Sequence, residues 1–128
     1  MPAKRKMLAF SPERAEMLAA KLTALGIETE NKKMFGHEVH FLNGYMFAGA
    51  NVDGVFVNLG EEGVNRALEQ ERDVAPFEPM EGMTMKEYLL LREPVMADEG
   101  RFSAWLRYTA ARLAVLPPKV KKTKKKDR

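Results

Sequence analysis

The chain has 128 residues, 45% of them hydrophobic, enough to bury one core and too few for two ordinary domains. With no cysteine it has no disulfide, thiolate metal site or cysteine nucleophile, which agrees with a reducing cytoplasm. The net charge is +3, but residues 119 to 128 hold seven Lys/Arg against one Asp, a net +6 that leaves −3 on residues 1 to 118, so the basic character belongs to the tail.

Residues 1–10, MPAKRKMLAF, read as a basic arm whose apolar run is too short for a signal segment or a membrane span, so the chain is expected to be soluble and unprocessed. Ser11-Pro12 then starts a helix over about residues 12 to 25, with Ala15, Leu18, Leu22 and Leu25 at helical spacing and Gly26 as the stop. IETE after it alternates, as a short strand or as the lead-in to a sheet. Asn43-Gly44 and Asp53-Gly54 each predict a two-residue type I′ hairpin loop, which gives three antiparallel strands near 38–42, 45–52 and 55–59.

Strict alternation across those loops pairs Phe41 with Met46 and Val52 with Val55, and sorts the side chains into two faces. One receives Val39, Phe41, Met46, Ala48, Ala50, Val52, Val55, Val57 and Leu59 and is expected to be the core. The other receives His40, Leu42, Tyr45, Phe47, Gly49, Asn51, Phe56 and Asn58, a mixture of rings and polar groups that suits neither open water nor a dry interior.

EEGVNRALEQERD predicts a short helix, with two acidic residues at its positive end and Val64, Leu68 and Ala67 on one side. APFEPM, limited to an edge by its prolines, and MKEYLLLRE predict two further strands joined across Gly82. Asp98 caps a final helix with a stripe of Phe102, Trp105, Leu106, Thr109, Ala110 and Leu113, ending at Pro117-Pro118. Residues 11–118 thus read as one α+β domain: helix, three-stranded antiparallel meander, helix, two strands, C-terminal helix. The lysines of residues 119–128 cannot bury anything, so that tail is expected to be disordered.

No catalytic, cofactor or metal site is expected. His37 and His40 are three apart, not the four of a helical zinc motif, and residues three apart on a strand point to opposite faces, so with His37 in the turn before the strand and His40 on its ring-bearing face they are not expected to hold one ion. The glycines lack the spacing of a nucleotide-binding loop, and Glu61-Glu62 beside them would repel a phosphate. No Ser or Thr has a base partner in sequence reach, and the nine methionines are scattered gap-fillers.

Lys33-Met34-Phe35-Gly36, Asn43-Gly44, Met46-Phe47-Ala48, Asp53-Gly54, Pro76-Phe77, the stretch from Met85 to Tyr88 and the late Trp105 resemble the N-terminal domain of the TfoX/Sxy family, bacterial regulators of competence genes. The likeness spans roughly residues 10 to 117 and implies the same element order. Full-length members have a C-terminal domain, which this chain is expected to lack, and are thought to act with the cyclic-AMP receptor protein at promoters. The resemblance implies regulation through protein contacts rather than catalysis.

Two functional expectations follow. In the first, a non-enzymatic regulatory domain docks through His40, Leu42, Tyr45, Phe47, Phe56 and Asn58 onto a second copy or another protein. In the alternative, a nucleic-acid-associated accessory protein binds phosphates weakly and without sequence preference through Lys119, Lys121, Lys122, Lys124, Lys125, Lys126 and Arg128, helped by Lys4, Arg5 and Lys6. Neither involves a membrane.

Overall fold

The structure, a computed structural model, describes residues 11–34, 37–80 and 82–118. Helix α1 (Pro12–Leu25) has the ends its sequence dictates: the Ser11 hydroxyl accepts from the Arg14 N–H at 3.3 Å, and Gly26, at φ 74°, donates to the Leu22 and Thr23 carbonyls. Six strands follow as one antiparallel sheet: β1 (Glu30–Met34), β2 (His37–Leu42), β3 (Tyr45–Asn51), β4 (Gly54–Asn58), β5 (Val74–Met80) and β6 (Met83–Leu91), in the order β1-β2-β3-β4-β6-β5. Helix α2 (Gly60–Gln70) links β4 to β5, and a short helix α3 (Glu93–Ala97), not expected from the sequence, precedes α4 (Glu99–Ala114). This is the expected α+β architecture, with β1 added to the meander.

All four helices serve one side of the sheet. Leu18 and Leu22 of α1, Val64 and Ala67 of α2, Val95 of α3 and Phe102, Leu106 and Leu113 of α4 form a single buried cluster with Ala48, Ala50, Val55, Val57, Leu89 and Leu91. The opposite side has its own cluster, Val39, Met46, Phe56, Phe77, Tyr88 and Leu90, drawn from strands alone. Its closure depends on sheet curl. Phe56 and Phe77 lie on strands separated by β6, about 10 Å apart in a flat sheet, yet their rings stack with centroids 4.0 Å apart at 17°. Strand β5 slips register on both sides of Phe77, which bends it over this face, and Tyr88 meets both rings edge-on.

The expected division into one core face and one mixed face is therefore corrected. Phe41 still pairs with Met46, but His40 pairs with Ala48, so Phe47 is an extra residue in β3, a β-bulge. The bulge reverses the alternation within β3. Met46 joins Val39 and Phe56 in the strand-only cluster, with Phe41 packed beside it, while Phe47 turns to the helices. The second turn also differs. Asn51 faces Gly54, and Val52 and Asp53 form the loop, because Asn51 Oδ1 accepts from the Asp53 and Gly54 N–H groups at 2.8 and 3.1 Å. Val52 thereby leaves the core and is 45% exposed. This register differs from the expected one by two residues, so the face sets of β4 survive.

Gly49 lies between Val39 and Phe56 in the ladder, and the Phe56 ring covers it. A methyl group there would overlap Phe56 Cζ and approach Val39 Cγ1 to 2.9 Å. Gly49→Ala is expected to destabilise the fold by about 1–3 kcal/mol in urea denaturation. The penalty should shrink in a Phe56→Leu background, whereas an equal penalty in both backgrounds would place its origin elsewhere.

Candidate functional site

The six residues expected to dock a partner do not share an exposed face. Phe47 is fully buried under the helices and Phe56 in the strand-only cluster on the other side, with Leu42 and Tyr45 half-buried against the helix-side core. His40 and Asn58 are buried and hydrogen-bonded. The expectation failed because one bulged residue is invisible to an alternation rule. The side chain of His37 and residues 119–128, with Lys4, Arg5 and Lys6, lie outside the described residues, so the structure says nothing of the nucleic-acid expectation.

What the hairpin does instead is hold α4 in place. Asn43 and Gly44 both have positive φ, 58° and 86°, as a type I′ turn requires. The Asn43 Nδ2 group donates to the carbonyls of Leu113 and Leu116 at 2.9 and 2.8 Å, the first of which also accepts from the Leu116 N–H, and Tyr45 O–H donates to the Pro117 carbonyl at 2.6 Å. In the last turn of α4, Arg112 donates to the Asn58 carbonyl at 3.2 Å. Asn58 Nδ2 in turn donates to the Met46 carbonyl at 3.0 Å, and its Oδ1 accepts from the Gly60 N–H. Tyr88 completes this knot. Burial, reinforced by Glu87 and opposed by Arg112, pushes its phenol up to about 12, so it is a neutral donor. At the start of α4, Arg101 donates to the Arg72 carbonyl at 3.0 Å and faces Asp73 and Glu71 at 3.6 and 3.9 Å.

Held in this way, α4 forms one wall of an open groove of about 380 Å³, with α2 as the other. Gly63, Ala67 and Ala104 are too small to fill it. Trp105 and Tyr108, one helical turn apart, stand edge-to-face with centroids 6.5 Å apart, and Tyr108 is 53% exposed. Arg66 lines the α2 side and makes no hydrogen bond or ion pair among the described residues.

A family model for the TfoX N-terminal domain matches residues 21–113, well over half of the chain and inclusive of both groove helices. The chain belongs to the TfoX N-terminal domain family. No curated protein and no solved structure matches it. Among the described residues of this TfoX domain, no three His, Asp or Glu side chains gather as a metal site, and no helix is long and apolar enough to cross a membrane.

The sequence placed Trp105 in a core stripe and did not single out Tyr108, Arg66 or Arg101. The legible signal was the Trp105–Tyr108 spacing, which puts an exposed ring beside a half-buried one. The pairing of α4 with α2 was not legible, because 28 residues, two strands and α3 intervene.

Asn43→Gly keeps the turn's backbone and removes only the clamp, so it should cost about 1–2 kcal/mol in urea denaturation. His40 supplies a pH test. Its Nδ1 lies 2.7 Å from Thr29 Oγ1, and burial, partly offset by Glu38, lowers its pKa below the usual 6.5. The folded state therefore binds fewer protons than the unfolded chain. The stability this contributes is complete above pH 6.5 and is lost as pH falls through the folded pKa. Melting temperature should decline through that window in the parent chain and less steeply in His40→Gln.

Proposed function

We propose that this TfoX N-terminal domain is a non-enzymatic regulatory module in competence or transcription control, acting by holding an acidic, apolar segment of a partner protein in the groove between α2 and α4. The observation that carries the reading is the make-up of that groove. Trp, Tyr and Arg are the residues in which binding energy concentrates at protein interfaces, and here Trp105, Tyr108 and Arg66 line a shallow trough floored by Gly63 and Ala67. An apolar side chain fits the floor, and a carboxylate complements Arg66.

The opening points the same way, since small-molecule sites enclose most of their ligand whereas Tyr108 stands more than half in solvent. The strand-only cluster offers no comparable surface, its rings being consumed in stacking on one another.

A photo-crosslinking residue at Tyr108 and, as control, at Met83 on the distant β5–β6 turn tests this in native cells. A product of defined mass should form from position 108 and not from 83, map to an acidic segment of the partner, and fall at least about tenfold in Trp105→Ala and Arg66→Glu chains that keep a cooperative melt. Identical products from both positions, or a product indifferent to both substitutions, would refute the groove. A product of twice the chain mass would replace the foreign partner by a second copy.

A further inference from the structure

A second concavity, remote from the proposed docking groove, lies between the last turn of α1 and strands β1 and β2. It measures about 620 Å³, within the usual range for a small-molecule site. Leu22, Ala19 and Ile27 give it apolar walls, and Thr23, Thr29, Asn31, Glu28 and His40 supply polar groups.

We propose that this cleft binds a small organic cation, taking its ammonium head between Glu28, Thr29 and the His40 imidazole and its hydrocarbon part against Leu22 and Ile27.

Three observations set the sign of the ligand. Among the described residues no lysine or arginine lines the cleft, and Glu28 does. The C-terminal end of α1 points its partial negative charge into it, with no basic residue in that last turn to offset it. His40 is 95% buried, and desolvation, partly offset by Glu38, lowers its pKa below the usual 6.5, which favours the uncharged ring. An anion would meet a carboxylate and a helix C-terminus with no counter-charge; a cation meets both favourably.

His40 also supplies direction. Its Nδ1 is taken by Thr29 Oγ1 at 2.7 Å, whereas Nε2 has no partner among the described residues, and the residue lines the cleft. The contact with Thr29 admits either tautomer; the one the proposal requires has the proton on Nδ1, donated to Thr29, so that the Nε2 lone pair accepts an ammonium N–H. The Thr23 hydroxyl and the Asn31 amide oxygen offer further acceptors around the rim. Backbone amides close the carbonyls of the helix end, since Gly26 and Ile27 donate to Leu22 and Thr23, which leaves the side chains as the ligand-binding groups.

The test uses three probes of one length, n-butylammonium, n-butanol and butyrate, titrated into the full chain while the amide resonances of Thr29, Asn31 and His40 are followed by NMR. Butylammonium should shift them saturably and bind about fivefold or more tightly than butanol, as expected of one partly exposed ion pair, and butyrate should leave them unmoved. Glu28→Gln, a change at an exposed position, should reduce butylammonium to the level of butanol, and His40→Gln should weaken it further. Tyr108→Ala, in the other groove, should change nothing, which separates this site from the docking surface. No saturable shift with butylammonium, equal binding of butyrate, or indifference to Glu28→Gln would overturn the proposal.

Discussion

Phe47 is one residue more than β3 needs to match β2, and the two-faced construction of the domain depends on that surplus. With four helices on one side, the other side of the sheet has no cover of its own, yet an antiparallel sheet that buries both faces needs apolar residues on both. The bulge supplies them locally. It turns Phe47 into the helix layer and releases Met46 to join Val39 and Phe56 behind the sheet. The curl that follows brings β5 back over β4, where Phe77 stacks on Phe56 and excludes water without a helix. Gly49 is the complementary condition, a missing side chain where the Phe56 ring must lie.

The helix side is fixed by a different device. Apolar packing is non-directional and would let α4 slide or rotate over the sheet, whereas hydrogen bonds to named carbonyls do not. Asn43 and Tyr45 pin the end of α4 to the β2–β3 turn, Arg112 ties its last turn to Asn58 as well, and Arg101 pins its start to the chain between α2 and β5. Lys21 adds a surface pair with Glu99 at 2.8 Å, which lowers the Glu99 pKa through its hydrogen bond and charge. Because that pair is exposed it is a minor contributor. Trp105 and Tyr108 thus project from a helix whose position is set at both ends, and a wall that need not be ordered on binding loses less entropy when a partner arrives.

The sequence made local features legible and left long-range ones hidden. Ser11, Gly26 and Asp98 act within three or four residues of themselves, and each stands where capping chemistry puts it. Asn43-Gly44 gave its turn for the same reason, since both residues take the positive φ they favour. Asp53-Gly54 misled because Asn51, two residues earlier, competes for the same backbone N–H groups and wins the loop; its Nδ2 is left buried without a partner among the described residues. The docking face failed for a reason of parity. Alternation propagates every error by one residue along the whole strand, and nothing in MFAG announces that a residue is to be skipped. The groove and the cleft depend on which helix lies beside which strand, and periodicity carries no such information.

The edges of the sheet also bear on the proposal that a helical surface makes the protein contact. An unpaired edge strand is a ready template for adding another strand. β5, at one edge, carries Pro76 and Pro79 and two register breaks, so it lacks the continuous row of N–H donors that an incoming strand requires. β1, at the other, is five residues long and presents Glu30, Lys32 and Lys33, charges that discourage pairing, with Lys32 folded back 4.7 Å from the Phe41 ring. With both edges blunted and the strand-only face closed on itself, the features that remain open are those between helices and at the rim of the sheet. The α2–α4 groove, rich in aromatic and arginine side chains, has the chemistry of a protein contact, and the acidic cleft beside His40 has that of a small cation.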